Sequence, residues 1–537
     1  MKRSPALPFD LSGIHLQPGQ GLARQLYQAL RERILDGRLA SGTRLPASRE
    51  LAALLGISRN TVTRALDQLY AEGYVAGRVG DGTYVAELTR RRPAAVAAVA
   101  PAASSPALQL LQSQHLAMPT EGAPRAFRIG VPAFDLFPFE TWARLQARFW
   151  RKPSPARLGY GDPAGDMQLR ELIAAYLRNS RGLTCEASQV LITCGSQQAI
   201  SLCAQLLIQP GDPVAVENPG YRAAGHAFAV AGAQLCGVAL DGEGMDVAAL
   251  QRLENCRLAY VTPAHQYPTG VTLSLPRRLA LLEWAKRVSG WIIEDDYDGE
   301  YRYSGTPLAP LAALDDQQRV IYVGTFGKLA FPALRLGYLL LPPALAESFA
   351  RRQALEMRHS EVGTQAVMAE FIAAGHFQRH VRRMRQAARS RRDALLTAWP
   401  QAIPGCSPLP AVEAGLHLSI KVESLARERE LIGAARAAGI EMNPLSDYWL
   451  PGSETAEGER AGLVLGFAAV PAAQIAEAIA TLRRGLEVVA RMQSGKAGGS
   501  APDCIRATAA LSLAAGEPGV GWMTLFSSTT GIATVDG

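Results

Sequence analysis

The sequence predicts an α/β chain in two parts. A small basic helical unit closed by a β-hairpin comes first, followed by a large body whose mixed, largely parallel sheet carries helices on both faces. Three observations predict this. Leu22, Leu26, Leu30 and Ile34 recur four apart, the apolar stripe of a helix. Further along, short β-branched runs alternate with Ala/Leu-rich helical segments, the pattern of parallel strands joined by helices. Finally, 537 residues with 48% hydrophobic and 19% charged content can fill several cores, which excludes a mostly disordered chain, a collagen and a coiled-coil rod.

The first helix runs over 20–36 and is stopped by Gly37 and the turn Ser41-Gly42-Thr43. A second starts at Ser48 as N-cap, turns Leu51 and Leu54 inward, and ends at Gly56. Ser58 caps a third, with Val62, Leu66 and Leu69 as its buried face. Two short helices joined by Leu55-Gly56-Ile57 have helix-turn-helix geometry. Tyr74-Val75-Ala76 and Thr83-Tyr84-Val85 flank Gly80-Asp81-Gly82 as a hairpin. The outward residues of the third helix, Ser58, Arg59, Asn60, Thr61, Thr63 and Arg64, crowd short donors and guanidiniums at one helix N-terminus. Arginine there reaches guanine edges, and Ser/Thr reach phosphate. Arg44, Ser48 and Arg49 stand where the preceding helix of such folds crosses the DNA backbone.

Charge points the same way. The chain carries +7, and residues 1–95 hold 14 Lys+Arg against 8 Asp+Glu, so +6 of it sits at the front, as in a nucleic-acid-binding module. The expected organisation is a DNA-binding unit over 15–87, an Ala/Pro-rich flexible linker over 88–111, the body over 112–490 and a disordered tail over 491–537. Seven scattered cysteines without a C-x-x-C pair predict reduced thiols in a cytoplasmic protein. No signal peptide or membrane span is read, and no metal site.

Four groups in the body look chemical. Gly195-Ser196-Gln197-Gln198 follows a strand and opens a helix, whose free N–H groups suit a phosphate. In Trp291-Ile292-Ile293-Glu294-Asp295-Asp296-Tyr297 acids emerge at a strand end, although no P-loop exists to place a nucleotide beside them. Gly324-Thr325-Phe326-Gly327-Lys328 sets a lysine among small and apolar neighbours, where desolvation favours the neutral, imine-forming amine, with Arg335 seven residues on. Thr262-Pro263-Ala264-His265-Gln266-Tyr267-Pro268-Thr269-Gly270 is a polar loop closing another strand.

The stretch from Arg44 to Leu66, R-L-P-A-S-R-E-L-A-A-L-L-G-I-S-R-N-T-V-T-R-A-L, resembles the winged helix-turn-helix of GntR-type repressors, with Gly82 in the wing. The four body groups resemble, in order and spacing over about 125–485, the fold type I aminotransferase-like domain that binds pyridoxal 5′-phosphate. Together they resemble the MocR (GabR-like) regulators of the GntR superfamily. The resemblance implies an imine with the cofactor at Lys328, Asp295 beside the pyridine nitrogen, Tyr297 at the ring's 3′ oxygen and Tyr221 stacked on the ring. It also implies Ser196, Gln197, Thr325 and Arg335 at the phosphate, and His265 or Gln266 in place of an asparagine. Tyr160, in Gly159-Tyr160-Gly161-Asp162-Pro163, would reach the partner subunit's phosphate, which implies a homodimer, head-to-tail in this family.

One departure bears on the effector. Where amino-acid-sensing members carry G-F-A-R, this chain has Gly466-Phe467-Ala468-Ala469; a second arginine would fall at Ala223, while Arg222 and Arg460 lie nearby in sequence or site. Ala469 cannot replace a guanidinium whose charge-assisted pairing contributes about 1.5–3 kcal/mol. The resemblance therefore implies a transcription regulator that binds promoter DNA and senses the cofactor itself, as PdxR-like members controlling vitamin B6 supply do. The alternatives are a regulator sensing an amino acid on the cofactor, an active aminotransferase, and a cofactor-free binding module.

Overall fold

The computed structural model describes residues 14–19, 21–78, 81–87, 122–305, 308–399, 403–453 and 455–493. The linker expected over 88–111, Gly80 of the expected turn and residues 494–537 of the expected tail lie outside the described residues. The chain divides into two compact units, Met1–Ser104 and Ser105–Gly537.

The first unit is α1 (Leu22–Leu35), α2 (Ser48–Leu55), α3 (Arg59–Ala71) and an antiparallel hairpin of β1 (Val75–Arg78) and β2 (Gly82–Val85). Leu26, Leu30, Ile34, Leu51, Val62, Leu69, Val75 and Val85 form its core. Two details differ from the sequence expectation. Ala47 is the N-cap of α2 and Ser48 its first helical residue, so Ser48 caps nothing; its hydroxyl instead accepts from Arg59 Nε at 3.4 Å. Leu54 is exposed and Ala52 is buried in its place. At 100° per residue Leu54 stands about 160° from Ala52, so α2 cannot bury both. Leu66 is likewise half-buried, and Ala65 takes the core position.

The body is built on an eight-stranded sheet. Its strands are β3 (Val190–Thr193), β4 (Pro213–Asn218), β5 (Gln234–Asp241), β6 (Gly244–Met245), β7 (Leu258–Val261), β8 (Trp291–Asp295), β9 (Val320–Thr325) and β10 (Gly337–Leu340). The order is β3-β10-β9-β8-β7-β4-β5-β6. Pairs from β9 through β5 are parallel, whereas β10 runs antiparallel to both β3 and β9. Successive residues face opposite sides of the sheet, and both sides are covered. Ile293 and Val323 pack with Ala199, Cys203 and Phe228 on one face, and Ile292 and Ala259 with Leu281 and Trp284 on the other. A smaller antiparallel sheet, β11 (His417–Lys421), β12 (Asn443–Pro444) and β13 (Gly462–Gly466), completes the body in the order β11-β13-β12.

The last helix, Ala472–Gln493, runs three residues beyond the boundary expected at 490. The six described cysteines are free. No helix among the described residues is long and apolar enough to cross a membrane.

Candidate cofactor site and nucleic-acid interface

The chemical groups gather at the carboxyl ends of β3, β7, β8 and β9, where open α/β sheets carry their sites. β3 delivers the chain into Cys194-Gly195 and then the helix Ser196–Leu207, whose first N–H groups have no intrahelical partner. Arg335, in left-handed backbone at φ 48°, lays its guanidinium across that helix start and donates to the Cys194 carbonyl at 3.0 Å. A Cβ on Gly195 would stand 3.1 Å from this guanidinium, so only glycine leaves the space between cation and helix end clear. Ser196, Gln197 and Arg335 are thus brought together, with Thr325 at the end of β9, which is separated from β3 by β10. A helix N-terminus facing a guanidinium is an anion cradle.

The three acids ending β8 divide by strand alternation. Glu294 accepts from the Leu311 and Ala312 N–H groups at 2.6 and 2.8 Å and so caps the short helix there. Asp296 pairs with Arg181 and accepts from the Tyr322 hydroxyl at 2.6 Å. Asp295 points the other way. Its Oδ2 accepts from Tyr260 at 2.7 Å, while its Oδ1 is buried with no hydrogen-bond partner. Burial pushes the Asp295 carboxyl up to about 7, against the Tyr260 hydrogen bond; Asp296 raises it further and Lys328 opposes. An unsatisfied buried carboxylate oxygen needs a donor that the protein does not supply.

Burial also lowers the pKa of Lys328, with Asp298 and Asp295 opposing and Arg335 assisting. Its Nζ donates to the Gly130 carbonyl at 2.7 Å. The Tyr221 hydroxyl donates to Gln197 Oε1 at 3.3 Å, and burial pushes it up to about 12. The Tyr297 hydroxyl donates to the His265 carbonyl at 2.9 Å and lies 3.0 Å from His265 Nδ1. His265 Nδ1 also lies 3.0 Å from Asp298 Oδ2.

Sequence reasoning left His265 and Gln266 open, and the structure separates them. Gln266 is spent on holding its loop to the end of β4: its amide donates to Pro219 O at 3.0 Å, Glu217 Oε2 at 3.2 Å and Tyr267 O at 2.6 Å, and its oxygen accepts from the Thr269 N–H and hydroxyl at 3.0 and 2.6 Å. His265 is the one beside Tyr297. Tyr267 was missed. Its ring meets Tyr221, Tyr297, His417 and Tyr448 edge-on at centroid distances of 5.1–5.7 Å, making it the hub of the aromatic wall. The Pro268-Thr269-Gly270 turn after it was the available signal. His417, on β11, was missed as well. His265, Asp298 and His417 bring metal-type ligand atoms within 4.8 Å of one another, but Asp298 faces His265 and His417 Nε2 faces the Pro268 carbonyl at 3.1 Å. We read this cluster as a hydrogen-bonded support for Tyr297. Tyr160 is 87% exposed, against His359, and is not brought to the other residues within its own chain.

In the first unit the side chains of Arg49, Arg59, Asn60, Thr63 and Arg64 are exposed along α2 and the start of α3. Ser58 and Thr61 are joined: Ser58 Oγ accepts from the Thr61 N–H at 3.1 Å, and the two hydroxyls lie 2.8 Å apart. Their hydroxyls hold the start of α3, which aims its free N–H groups outward. Arg44 bridges to Tyr84, its Nε 3.1 Å from where a Gly82 Cβ would stand, so helix side and hairpin are tied together. Arg78, not anticipated, stacks over Tyr84 at 4.5 Å on the hairpin.

The model of the gntR family of bacterial regulatory proteins matches residues 22–85, and that of class I and II aminotransferases matches 126–414. The probable rhizopine catabolism regulatory protein MocR of Rhizobium meliloti is 36% identical over 465 residues, 86% of this chain and 92% of the relative. The chain belongs to the MocR-type transcriptional regulators of the GntR family. Another relative of this MocR-type regulator is the pyridoxine biosynthesis transcriptional regulator PdxR of Corynebacterium glutamicum. It is 32% identical over 82% of this chain and 91% of the relative. Among solved structures, the Pyrococcus horikoshii kynurenine aminotransferase bound to PMP superposes with a TM-score of 0.60. It is 28% identical and covers 71% of this chain and 93% of that one. The gntR-type domain of this MocR-type regulator implies DNA binding, and the fold neighbours of its body are pyridoxal-phosphate enzymes.

Proposed function

We propose that this chain is a homodimeric regulator whose promoter binding is set by pyridoxal 5′-phosphate held in the body, and that it controls supply of that cofactor. The observation that carries the reading is the orphaned Oδ1 of Asp295. A protonated pyridine is the donor that fits it: a cation with one N–H, directed at a buried carboxylate flanked by Tyr260. The rest of the donor set fits the same group. Arg335 and the Ser196 helix end would take the phosphate, Tyr221 would cover the ring, and Tyr297, held beside His265, would hydrogen-bond the ring oxygen by turning its hydroxyl from the His265 carbonyl.

Bound there, the cofactor supplies an aldehyde for a primary amine and an electron-withdrawing ring. Lys328 contributes that amine, its pKa lowered by burial and its Nζ aimed by the Gly130 carbonyl. Asp295 would keep the ring nitrogen protonated, and the buried aromatic wall around Tyr267 would help to exclude water from the site. The position that would clamp an amino-acid carboxylate holds Ala469, buried on apolar neighbours. Arg222 instead donates to the Asp447 carbonyl at 3.0 Å, and Arg391 is spent on Asp135 and the Ala468 carbonyl at 2.7 and 2.6 Å. This favours the cofactor over an amino acid as effector and regulation over turnover. A bound cofactor changes DNA affinity only if it prefers one of two arrangements of the protein.

The test is an absorbance titration of the full-length protein with pyridoxal 5′-phosphate, wild type against Lys328→Ala, followed on the same samples by binding to its own upstream DNA. A lysine-dependent visible band that changes DNA affinity is expected. A band that leaves DNA binding unchanged, or steady keto-acid formation from added amino acids, sinks the sensor reading. In a companion experiment Arg59→Ala/Arg64→Ala keeps the band and loses sequence preference on DNA, by about 1–3 kcal/mol per lost base contact.

A further inference from the structure

The helix His376–Ala398 carries seven arginines and one acid, Asp393. Three of the seven are spent inward. Arg385 donates to the Glu300 carbonyl at 2.8 Å, Arg391 pairs with Asp135, and Arg392 takes Asp393 and the Val412 carbonyl. Arg379, Arg382, Arg383 and Arg389 are exposed. At 100° per residue these four fall within about 120° of arc and span about 15 Å of helix. Phe377, Val381, Met384 and Ala388 occupy the opposite, buried side.

None of the four exposed arginines has a carboxylate partner among the described residues. Arg379 donates to the Ala374 carbonyl and lies 2.9 Å from His376, and Arg383 donates to the Leu136 carbonyl at 3.3 Å. The neighbouring helix, Phe139–Arg151, adds Arg144, whose charge depresses His376 after burial does. Its first turn holds Glu140, and on the arginine helix itself Asp393 falls within the same arc, paired there with Arg392. Four guanidiniums without carboxylate partners, with Asp393 the acid among them and paired with Arg392, leave the face strongly positive and suited to a polyanion.

Building on the reading of this chain as a DNA-binding regulator, we infer that this face of the body is a second DNA contact, gripping phosphates without reading bases. Charge selects the occupant. The chain's own first 95 residues are net positive and do not complement the face, whereas duplex DNA presents a row of phosphates at about 7 Å spacing along a strand, so 15 Å spans two or three. The winged unit then supplies sequence and the body supplies affinity, the division usual between base and phosphate contacts.

The test compares full-length wild type with Arg379→Gln/Arg382→Gln/Arg383→Gln/Arg389→Gln and with the four-lysine counterpart. Binding is measured against salt on two duplexes of equal length, the protein's own upstream region and an unrelated sequence. The glutamine variant should lose affinity for both duplexes by the same factor, about tenfold or more at moderate salt, and its log–log salt slope should fall by about 1–3. The lysine variant should restore both, because phosphates accept a point charge. Cofactor absorbance, measured in parallel, should stay at the wild-type value, and the melting temperature should not fall below it. An unchanged slope in a variant that still folds overturns the inference, and so does a variant that changes only the oligomeric state, which would make the face a self-interface. Wild type that binds neither duplex overturns the regulator reading itself, a separate result.

Discussion

Asp295→Asn should weaken pyridoxal 5′-phosphate binding by roughly 10- to 150-fold, the equivalent of about 1.5–3 kcal/mol for a charge-assisted hydrogen bond. The same substitution should stabilise the cofactor-free protein at pH 8. The two effects have opposite signs for one reason. The carboxyl is buried, one oxygen has no partner, and its pKa sits at about 7. Between about pH 4 and 7 the folded protein therefore holds a proton on Asp295 that the unfolded chain has released, so stability falls as pH rises through that window. The slope for one such group is at most about 1.4 kcal/mol per pH unit. Asparagine does not titrate. The stability gap between variant and wild type should widen from pH 5 to pH 7 and level off above, read by urea unfolding of cofactor-free samples. Glu217 and Glu294, both pushed up to about 7 by burial, add slope of the same sign to both proteins and cancel in the comparison. A gap independent of pH, or an unchanged cofactor affinity, would show that Asp295 is an ordinary buried carboxyl.

Local pattern carried much of this molecule. The four-residue spacing of Leu26, Leu30 and Ile34 places α1, and the β-branched runs at 190–193, 213–217, 258–262, 291–294 and 320–323 mark β3, β4, β7, β8 and β9, five of the eight strands of the large sheet. What pattern could not place was set by distant partners. β10 was not anticipated as a strand, because Gly337-Tyr338-Leu339-Leu340 is a short apolar run without β-branched residues and finds its register only between β3 and β9. The small sheet was missed for the same reason, with partners such as Leu418 and Leu465 far apart in sequence. In the site, the lysine was visible from its small neighbours, but the Gly130 carbonyl that aims it lies 198 residues earlier. Gln266 and His265 are adjacent in sequence and equally polar. Only the turn of their loop, which folds Gln266 back onto Pro219 and Thr269, decides which of them faces Tyr297.

The run Glu294-Asp295-Asp296 shows why composition alone misreads such a site. Three acids in a row suggest a shared ligand, yet Glu294 caps a short helix and Asp296 holds the Arg181 cation, while Asp295, which also keeps an unused oxygen as Asp296 does, has only the Tyr260 hydroxyl and no paired cation. What tells Asp295 from Asp296 here is the cation: Asp296 is paired with Arg181, and Asp295 has no ion-pair partner from within the described residues.

Arg181→Met should cost about 3–5 kcal/mol of body stability, the usual result of removing one partner from a fully buried ion pair. Arg181 and Asp296 are both shielded from solvent, each with a side chain 2% exposed. Arg181 also donates to the Gly299 carbonyl at 3.1 Å, so it closes the loop that follows β8 onto the helix Met167–Arg181. With methionine there, Asp296 keeps only the Tyr322 hydroxyl and must either stay charged without a cation or take up a proton. The double variant Arg181→Met/Asp296→Leu removes both charges and should recover most of the loss, since replacing a whole buried pair by apolar groups is often neutral or favourable. Calorimetry of wild type, both single variants and the double variant closes the cycle. A coupling near zero would mean that Arg181 acts only through its bond to Gly299. A large coupling should be accompanied by weaker cofactor binding in Arg181→Met alone, because an unpaired charge on Asp296 further disfavours the ionised form of Asp295 on which the ring nitrogen depends.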